Sequence, residues 1–344
     1  MITLLSPADG VEVSVLTAEQ RRFIREYRDG LPKGPVSFIT GESSWPAAVL
    51  FRWRTEGDPT PQKIEVSESE DFTPCRYVNL TRTSQSQDGD FFSAGRNFMT
   101  GKRYFWRVTS GESLSEARSF TTAPDPIRPI AADFLPNFRD LGGKITTDGR
   151  RVKQGLLYRG TYPERASYEG GAMQGLTERG KETFVRELGI RSEIDLRKET
   201  EGLFEKSPAG DGVRYVQVSF DAPFGGTFND RGLGQMKAAF DVIFDEAAYP
   251  VFYHCQTGAD RTGFLSIVIG GILGFSDADI VLDYNFTTFH EYRNWRECSD
   301  LKDYFAYLRE CFGERSLSEL VMLHLTNWGV DAEKLYRLRE FLTE

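Results

Sequence analysis

The stretch HCQTGADRTG (254–263) holds the residue types best suited to chemistry, with five residues between Cys255 and Arg261. Alone, that spacing is a weak signal, met by chance for roughly one cysteine in twenty at average usage. Here His254 precedes the cysteine, Gly258 lies in the loop and Thr262-Gly263 follow the arginine. An apolar strand leads in and an apolar helix leads out. Such a loop can aim successive backbone N–H groups at one phosphate, and the helix dipole adds partial positive charge there. Both favour the thiolate, the nucleophilic form, of a cysteine at the loop base. Arg261 can hold two phosphoryl oxygens with its planar fork. Gly258 permits a close turn. Thr262 offers a hydroxyl to the departing sulfur, and His254 is expected to hold the loop without touching substrate. The chemistry such residues would suit is nucleophilic displacement at phosphorus.

From residue 133 onward the chain supplies a framework for these residues. GLLYRG (155–160), SEIDLR (192–197), RYVQVSF (214–220) and VFYHC (251–255) read as strands. Helical patterns fall at 176–188 and 232–247, and a long helical tail is predicted over 261–343. The alternation predicts an α/β sheet with helices on its faces and a site beyond the carboxyl end of VFYHC. Residues 1–122 differ. AAVLFRWRT (47–55), KIEVSES (63–69), RYFWRVTS (103–110) and EARSFTT (116–122) predict an antiparallel β-sandwich, with Tyr104, Trp106 and Val108 on one face. AEQRRFIREYRDG (18–30) is a charged helical stretch with Phe23, Ile24 and Tyr27 on one side, expected as an insertion covering a sandwich edge. The three prolines of TTAPDPIRPIAA (121–132) exclude helix and central strand. The expected organisation is multidomain: a sandwich at 1–122, a Pro-rich linker at 123–132 and an α/β domain with a helical C-terminal part at 133–344. A fragment starting near Ala131 is then expected to keep its own core and activity.

HCQTGADRTG resembles the signature of cysteine-dependent protein tyrosine and dual-specificity phosphatases. NFRDLGG (137–143), LLYRG (156–160), IDLRKETE (194–201), DYNFTT (283–288) and GVDAEKLYRLREFL (329–342) extend the likeness over 133–344. Together they resemble the bacterial tyrosine/serine protein phosphatase family, typified by tyrosine phosphatase B of mycobacteria. The first third is similar to a fibronectin type III-like module, through Trp53, VSESEDF (66–72), GKRYFWRV (101–108) and a closing SFTT. The phosphatase resemblance implies an α/β fold with a helical lid or cap, a phospho-cysteine mechanism, and no metal or cofactor. Matching positions make Cys255 the nucleophile and Arg261 the phosphate clamp. The cradle is then the backbone amides of Gln256, Thr257, Gly258, Ala259, Asp260 and Arg261.

Two candidates stand for the general acid. The family can place it immediately before the arginine, where Asp260 stands, and this is the favoured reading. Other tyrosine phosphatases draw it from an upstream loop. Here SFDAPFGGTFND (219–230) offers Asp221, 34 residues before Cys255, and Asp230. Phe224 and Phe228 in that stretch can line an aryl slot. One departure concerns Ala259, where family loops often carry lysine; the loss of that cation counts against highly charged inositol phosphates and their lipids. Arg139, Arg159 and Arg197 can supply positive charge. Arg139 and Arg197 are expected to anchor loops through Asp140, Asp195 or Glu201 rather than to meet substrate.

The whole composition narrows the choice. With 344 residues, 40% hydrophobic and 27% charged, the chain suits a globular protein of two domains. A net charge of −9 speaks against nucleic-acid partners or attachment to anionic membranes by charge alone. FLSIVIGGILGF (264–275) is too short to span a bilayer, and MITLLSPADG lacks the marks of a signal peptide. No integral membrane segment and a cytoplasmic location are therefore expected. Cys75, Cys298 and Cys311 show no CxxC pattern and are expected to be inert and partly buried. His290 and His324 are read as ordinary packing or surface residues. The expected substrate is a phosphorylated protein or peptide, with phosphotyrosine ahead of phosphoinositides. The alternatives are a phosphoinositide or inositol-phosphate phosphatase, a catalytically silent phosphopeptide-binding module, and an arsenate reductase or sulfurtransferase with a resolving cysteine. The N-terminal module is expected to pack on the catalytic domain or to bind a partner or a second protomer.

Overall fold

The computed structural model describes residues 1–28, 44–57, 62–75, 79–132, 135–165, 174–201, 205–219, 230–289 and 302–344. Within the first 122 residues, two sheets form. One orders Ile2–Ser6, Val49–Thr55, Phe91–Arg96 and Asn79–Leu80. The other orders Val11–Val13, Arg118–Thr122, Arg103–Ser110 and Gln62–Ser67. Tyr104, Trp106 and Val108 alternate inward, as their period-two spacing requires, and meet Phe51, Trp53, Val66, Phe98 and Phe120 in one core. The rings of Phe51 and Trp106 lie 5.1 Å apart.

A mixed sheet follows, in the order Arg128–Pro129, Arg139–Asp140, Leu157–Thr161, Val251–Cys255, Ser192–Asp195 and Arg214–Gln217. The last four strands are parallel and the first two are antiparallel additions. The Cys255 strand is buried along its whole length. Val251, Tyr253 and Cys255 face a core shared with Met236, Phe240, Phe264 and Ile267, whereas Phe252 faces Phe138, Tyr158 and Phe184 on the other side. The helix Asp260–Leu273 is buried from Thr262 to its end, which explains an apolar run without a polar stripe.

Several expectations need correcting. Among the described residues, the long helical tail is five α-helices: Asp260–Leu273, Asp277–Asn285, Lys302–Phe312, Leu317–Asn327 and Ala332–Leu342. Ser276, Ser316 and Asp331 start three of them by accepting backbone N–H bonds with their side chains. The stretch expected as one helix at 176–188 is α-helical only over Glu178–Glu182, then widens to a π turn over Thr183–Glu187. The Pro-rich stretch, expected as a linker without helix or central strand, contributes to the sheet. Its Arg128–Pro129 is the sheet's edge strand, where a missing proline N–H costs nothing, and Ile127, Ile130 and Ala132 are buried. The helix Ala18–Arg28 does not cover a sandwich edge. Leu16, Phe23 and Ile24 instead pack with Ile127, Leu282, Phe286 and Phe289. The ring of Phe23 lies 5.3 Å from that of Phe289, edge to face. The three apolar residues at 282–289 offer this amphipathic helix its counterpart. No helix among the described residues is long and apolar enough to cross a membrane.

Polar contacts close the same junction. The buried Arg128 guanidinium donates to the carbonyls of Asn97 and Phe98 and, at 2.7 Å, to Asp140. Asn97 exchanges two hydrogen bonds with the backbone of Ala131, and Gln154 bonds both N–H and C=O of Thr100. This reverses the expectation for a fragment beginning at Ala131. It would lack the edge strand, strip Asp140 of its guanidinium and expose Leu282, Phe286 and Phe289. We expect such a fragment to aggregate or to unfold well below the full chain in a thermal melt. A soluble fragment melting with the full chain's midpoint and cooperativity would contradict this account of the junction.

Candidate active site

Cys255 ends its strand as a buried free thiol, and the helix starts five residues later at Asp260. The turn between them leans on the neighbouring Leu157–Thr161 strand. Gly258 has φ of +65°, and a Cβ there would fall far inside contact distance of the Gly160 carbonyl. Only glycine satisfies both conditions. The Asn137 side-chain amide donates to the carbonyls of Thr257 and Gly258, at 3.1 and 3.0 Å. Arg159 donates to the Gly258 carbonyl at 2.7 Å. These peptides are trans, so the N–H groups of Gly258 and Ala259 point the opposite way, out of the Asn137–Arg159 side. Ala259 caps the helix with no side-chain bond, unlike Ser276, Ser316 and Asp331 at later helices. The first turn is thus open to an external acceptor.

A buried ion network stands behind this turn. One oxygen of Asp283 accepts from Arg139 Nε at 3.0 Å, and the other accepts from Arg159 Nη1 at 2.6 Å. Arg139 also donates to the Asp283 carbonyl, to Thr287 and to the Asn137 side chain. Two guanidiniums share one carboxylate, leaving one positive charge in excess behind the turn. Burial works to raise the Asp283 carboxyl, but Arg139 and Arg159, with Lys144 beyond, hold it well below the usual carboxylate range. Burial and the nearby Arg159 pull the Arg139 guanidinium down to about 10. The expected partner of Arg139 is therefore corrected: it is Asp283, not Asp140, Asp195 or Glu201. Asp140 holds Arg128 instead. Arg139, Arg159 and Arg197 are all fully buried. None of the three presents its side chain to the surface.

On the opposite side, Arg261 forms a two-pronged pair with Glu201, at 2.6 and 2.8 Å, and donates to the Leu196 carbonyl. Arg261 holds the Glu201 carboxyl below its usual range. Burial works against the Arg261 charge, but Glu201 and the nearby Cys255 outweigh it and raise the pKa. Arg197 forks onto Asp195, as expected, and Tyr215 donates to the same carboxylate. His254 meets Glu193 at 2.9 Å through Nε2, and Glu193 also accepts from Ser207. With its ring stacked 5.3 Å from that of Phe252, His254 is built into the sheet.

Asp260 starts the helix half-buried and accepts from the Tyr284 hydroxyl at 3.2 Å. The Tyr284 ring lies where a Cβ on Gly263 would meet it at 2.7 Å, which explains the glycine after Thr262. The Thr262 hydroxyl is buried and makes no hydrogen bond among the described residues, so its expected bond to the Cys255 sulfur is not formed here. Gln256 and Thr257 are half-buried. Asp221, Phe224, Phe228, His290 and Cys298 lie outside the described residues, as does the side chain of Asp230. Cys75 and Cys311 are exposed, not partly buried. His324 is buried beside Tyr304, and burial lowers it to about 4. Asn137, Asp283 and Tyr284 lay within quoted motifs, yet their links to the Cys255 turn were missed. No local spacing reveals the contacts of Asn137 and Asp283, which span more than a hundred residues, or that of Tyr284 with Asp260, 24 residues away.

Asp283 generates a stability prediction with a defined sign. Asp283→Asn leaves two buried guanidiniums uncompensated and should cost about 3–5 kcal/mol at neutral pH. The folded-state pKa of Asp283 is depressed, so its contribution is complete above the unfolded value near 4 and is lost as pH falls below it. Denaturant melts should show a constant gap between wild type and variant from pH 8 to about 5, narrowing below about 4. A gap that widens in acid would contradict the assignment.

A profile described as the Tyrosine phosphatase family matches residues 130–307. A protein of Cupriavidus necator named "Putative tyrosine-protein phosphatase H16_A0669" is 30% identical over 182 residues, covering 45% of this chain and 61% of that protein. The chain thus spans less than two thirds of that relative's length. Among solved structures, the core catalytic domain of the PP-IP phosphatase SIW14 from S. cerevisiae, in complex with citrate, aligns with a TM-score of 0.31 and 19% identity. That alignment covers 42% of this chain and 76% of that one. The profile takes in Asn137, Arg139, Arg159, Glu201, Cys255, Arg261 and Asp283, and it covers more than half of the sequence: the chain belongs to the tyrosine phosphatase family.

Proposed function

We propose that the protein is a phosphomonoesterase acting through a phospho-cysteine on Cys255, with phosphotyrosine in a protein or peptide as its preferred substrate. The observation that carries this reading is the Cys255 turn, with two carbonyls pinned backward and an uncapped helix start beside a thiol. The thiolate attacks phosphorus and the ester P–O bond breaks. Its electron pair goes to the leaving oxygen, which takes a proton from Asp260. Water then attacks the phospho-cysteine, giving its proton to that carboxylate, and the P–S bond breaks to restore the thiolate and release phosphate. The amides from Gln256 to Arg261 hold the phosphoryl oxygens, and Arg261 forks onto two of them, steadied by Glu201. The buried Thr262 hydroxyl is the donor that meets sulfur as it leaves. Asp221 is the rival acid.

The residues between Cys255 and Arg261 are Gln, Thr, Gly, Ala and Asp, with no cation. Arg139, Arg159 and Arg197 are too buried to meet further phosphates. Both facts support a substrate with a single phosphate over a phosphoinositide, which is the alternative. For the first 122 residues we propose a fibronectin type III-like β-sandwich, supported by two sheets that share one core.

Phosphate release from p-nitrophenyl phosphate in EDTA tests the reaction. Wild type should turn over and Cys255→Ser should fall to background. Arg261→Lys, which keeps charge but loses the fork, should lose kcat on the order of 10²-fold. Retained turnover in Cys255→Ser would refute the mechanism. Asp260→Asn should slow phosphotyrosine more than p-nitrophenyl phosphate, because a poorer leaving group needs the proton more. If Asp221→Asn alone shows that dependence, the acid is Asp221. A higher kcat/KM on phosphoinositide vesicles than on phosphotyrosine peptides would overturn the substrate class.

A further inference from the structure

Two supports of the Cys255 turn are themselves held from outside the matched phosphatase region. Asn137, which pins the Thr257 and Gly258 carbonyls, sits at φ of +59°, and its backbone N–H donates to Ser44 Oγ at 2.9 Å. Ser44 is buried, with 3% of its surface exposed. Asp283, which holds Arg159 against the Gly258 carbonyl, and Tyr284, which bonds Asp260, lie between Leu282 and Phe286. Those two apolar residues pack in one cluster with Phe23 of the helix Ala18–Arg28, and the Phe286 ring also lies under the Arg139 guanidinium. Ser44 and this helix form one unit. Buried Gln20 donates to the Trp45 carbonyl at 2.9 Å, and its side-chain oxygen accepts from the N–H of Thr17 at 3.0 Å.

We infer that the helix Ala18–Arg28 and Ser44 are positioning elements of the anion-binding turn, reaching it through Phe23 behind Asp283 and through Ser44 behind Asn137. The inference rests on the reading that this turn binds phosphate. Losing Ser44 Oγ would leave the buried Asn137 N–H without its acceptor. Relief comes most readily by moving Asn137, and the loop carbonyls follow. Losing the Phe23 ring opens a cavity beneath Leu282 and Phe286, into which the Asp283 turn can relax. Both changes reorient amides that face the anion, although neither residue touches it.

Full-length Ser44→Ala, Ser44→Thr, Phe23→Ala, Phe23→Leu and Val66→Ala test this. Val66 lies in the separate core of the first sheets. For each, kcat and KM on p-nitrophenyl phosphate, Ki for inorganic phosphate and the thermal midpoint are measured well below that midpoint. We expect Ser44→Ala and Phe23→Ala to raise the phosphate Ki about fivefold or more and to lower kcat. Ser44→Thr and Phe23→Leu should recover most of both. Val66→Ala should lower the midpoint with Ki and kcat unchanged. Falling midpoints with unchanged Ki and kcat in the Ser44 and Phe23 alanine variants would overturn the inference. If Phe23→Ala does not fold, the Ser44 pair decides it. A wild type that neither turns over nor is inhibited by phosphate removes the functional reading, and this inference with it.

Discussion

The site depends on the direction of two peptide dipoles. Left alone, a turn after a strand satisfies its carbonyls wherever water or backbone allows, and a carbonyl facing an anion repels it. Asn137 and Arg159 hold the Thr257 and Gly258 carbonyls backward, and planarity then sends the next N–H groups forward. The remaining requirements follow from that orientation. Gly258 must be glycine to lie against Gly160. Asn137 must hold a left-handed conformation. Arg159 must be buried in the sheet beside the turn, where its charge needs a partner.

That partner, Asp283, also serves Arg139, so the carboxylate is outnumbered. Burying three charges is expensive, and an ion pair rarely repays its desolvation by attraction alone. The arrangement makes sense as electrostatic preorganisation. A buried positive excess beside an uncapped helix start favours negative charge in the turn, and salt screens it less than it would a lysine at the rim. His254, Glu193 and Ser207 add a second buried network under the neighbouring strand. Cys255 is thereby braced from both sides of its own strand.

Much of this was legible in sequence because it is local. A short apolar run identified the Cys255 strand, and period-two alternation identified the inward Trp106. The spacing from Cys255 to Arg261, with Gly258 between them, marked the turn. The helix starts at Ser276, Ser316 and Asp331 follow standard capping chemistry, and reading them would have divided the tail correctly. What stayed hidden depends on long-range partners. Arg139 and Asp283 are 144 positions apart and Arg159 and Asp283 are 124 apart, and nothing in either neighbourhood selects one carboxylate over Asp140 or Asp195. The apolar face of the helix Ala18–Arg28 was visible, but its destination on Leu282, Phe286 and Phe289 was not. Proline composition suggested a linker, whereas an edge strand tolerates the same residues.

Placing the cations behind the turn has a consequence for specificity. Charges that act through Gly258 and Asp283 recognise whatever occupies the turn and cannot reach beyond it. On the proposed reading they would strengthen the hold on one phosphoryl group without distinguishing the molecule attached to it. A rim lysine would do the reverse, adding contacts to neighbouring phosphates at the cost of exposure and screening. With Ala259 in that position and Arg139, Arg159 and Arg197 sealed in the protein, discrimination between substrates falls to the groups around the mouth. Of these, Gln256, Thr257 and Asp260 carry no positive charge. The chain therefore separates two tasks that a cationic loop would merge. On the proposed reading, the turn's amides hold the phosphate with the buried network behind them, and the neutral or acidic rim selects against additional ones.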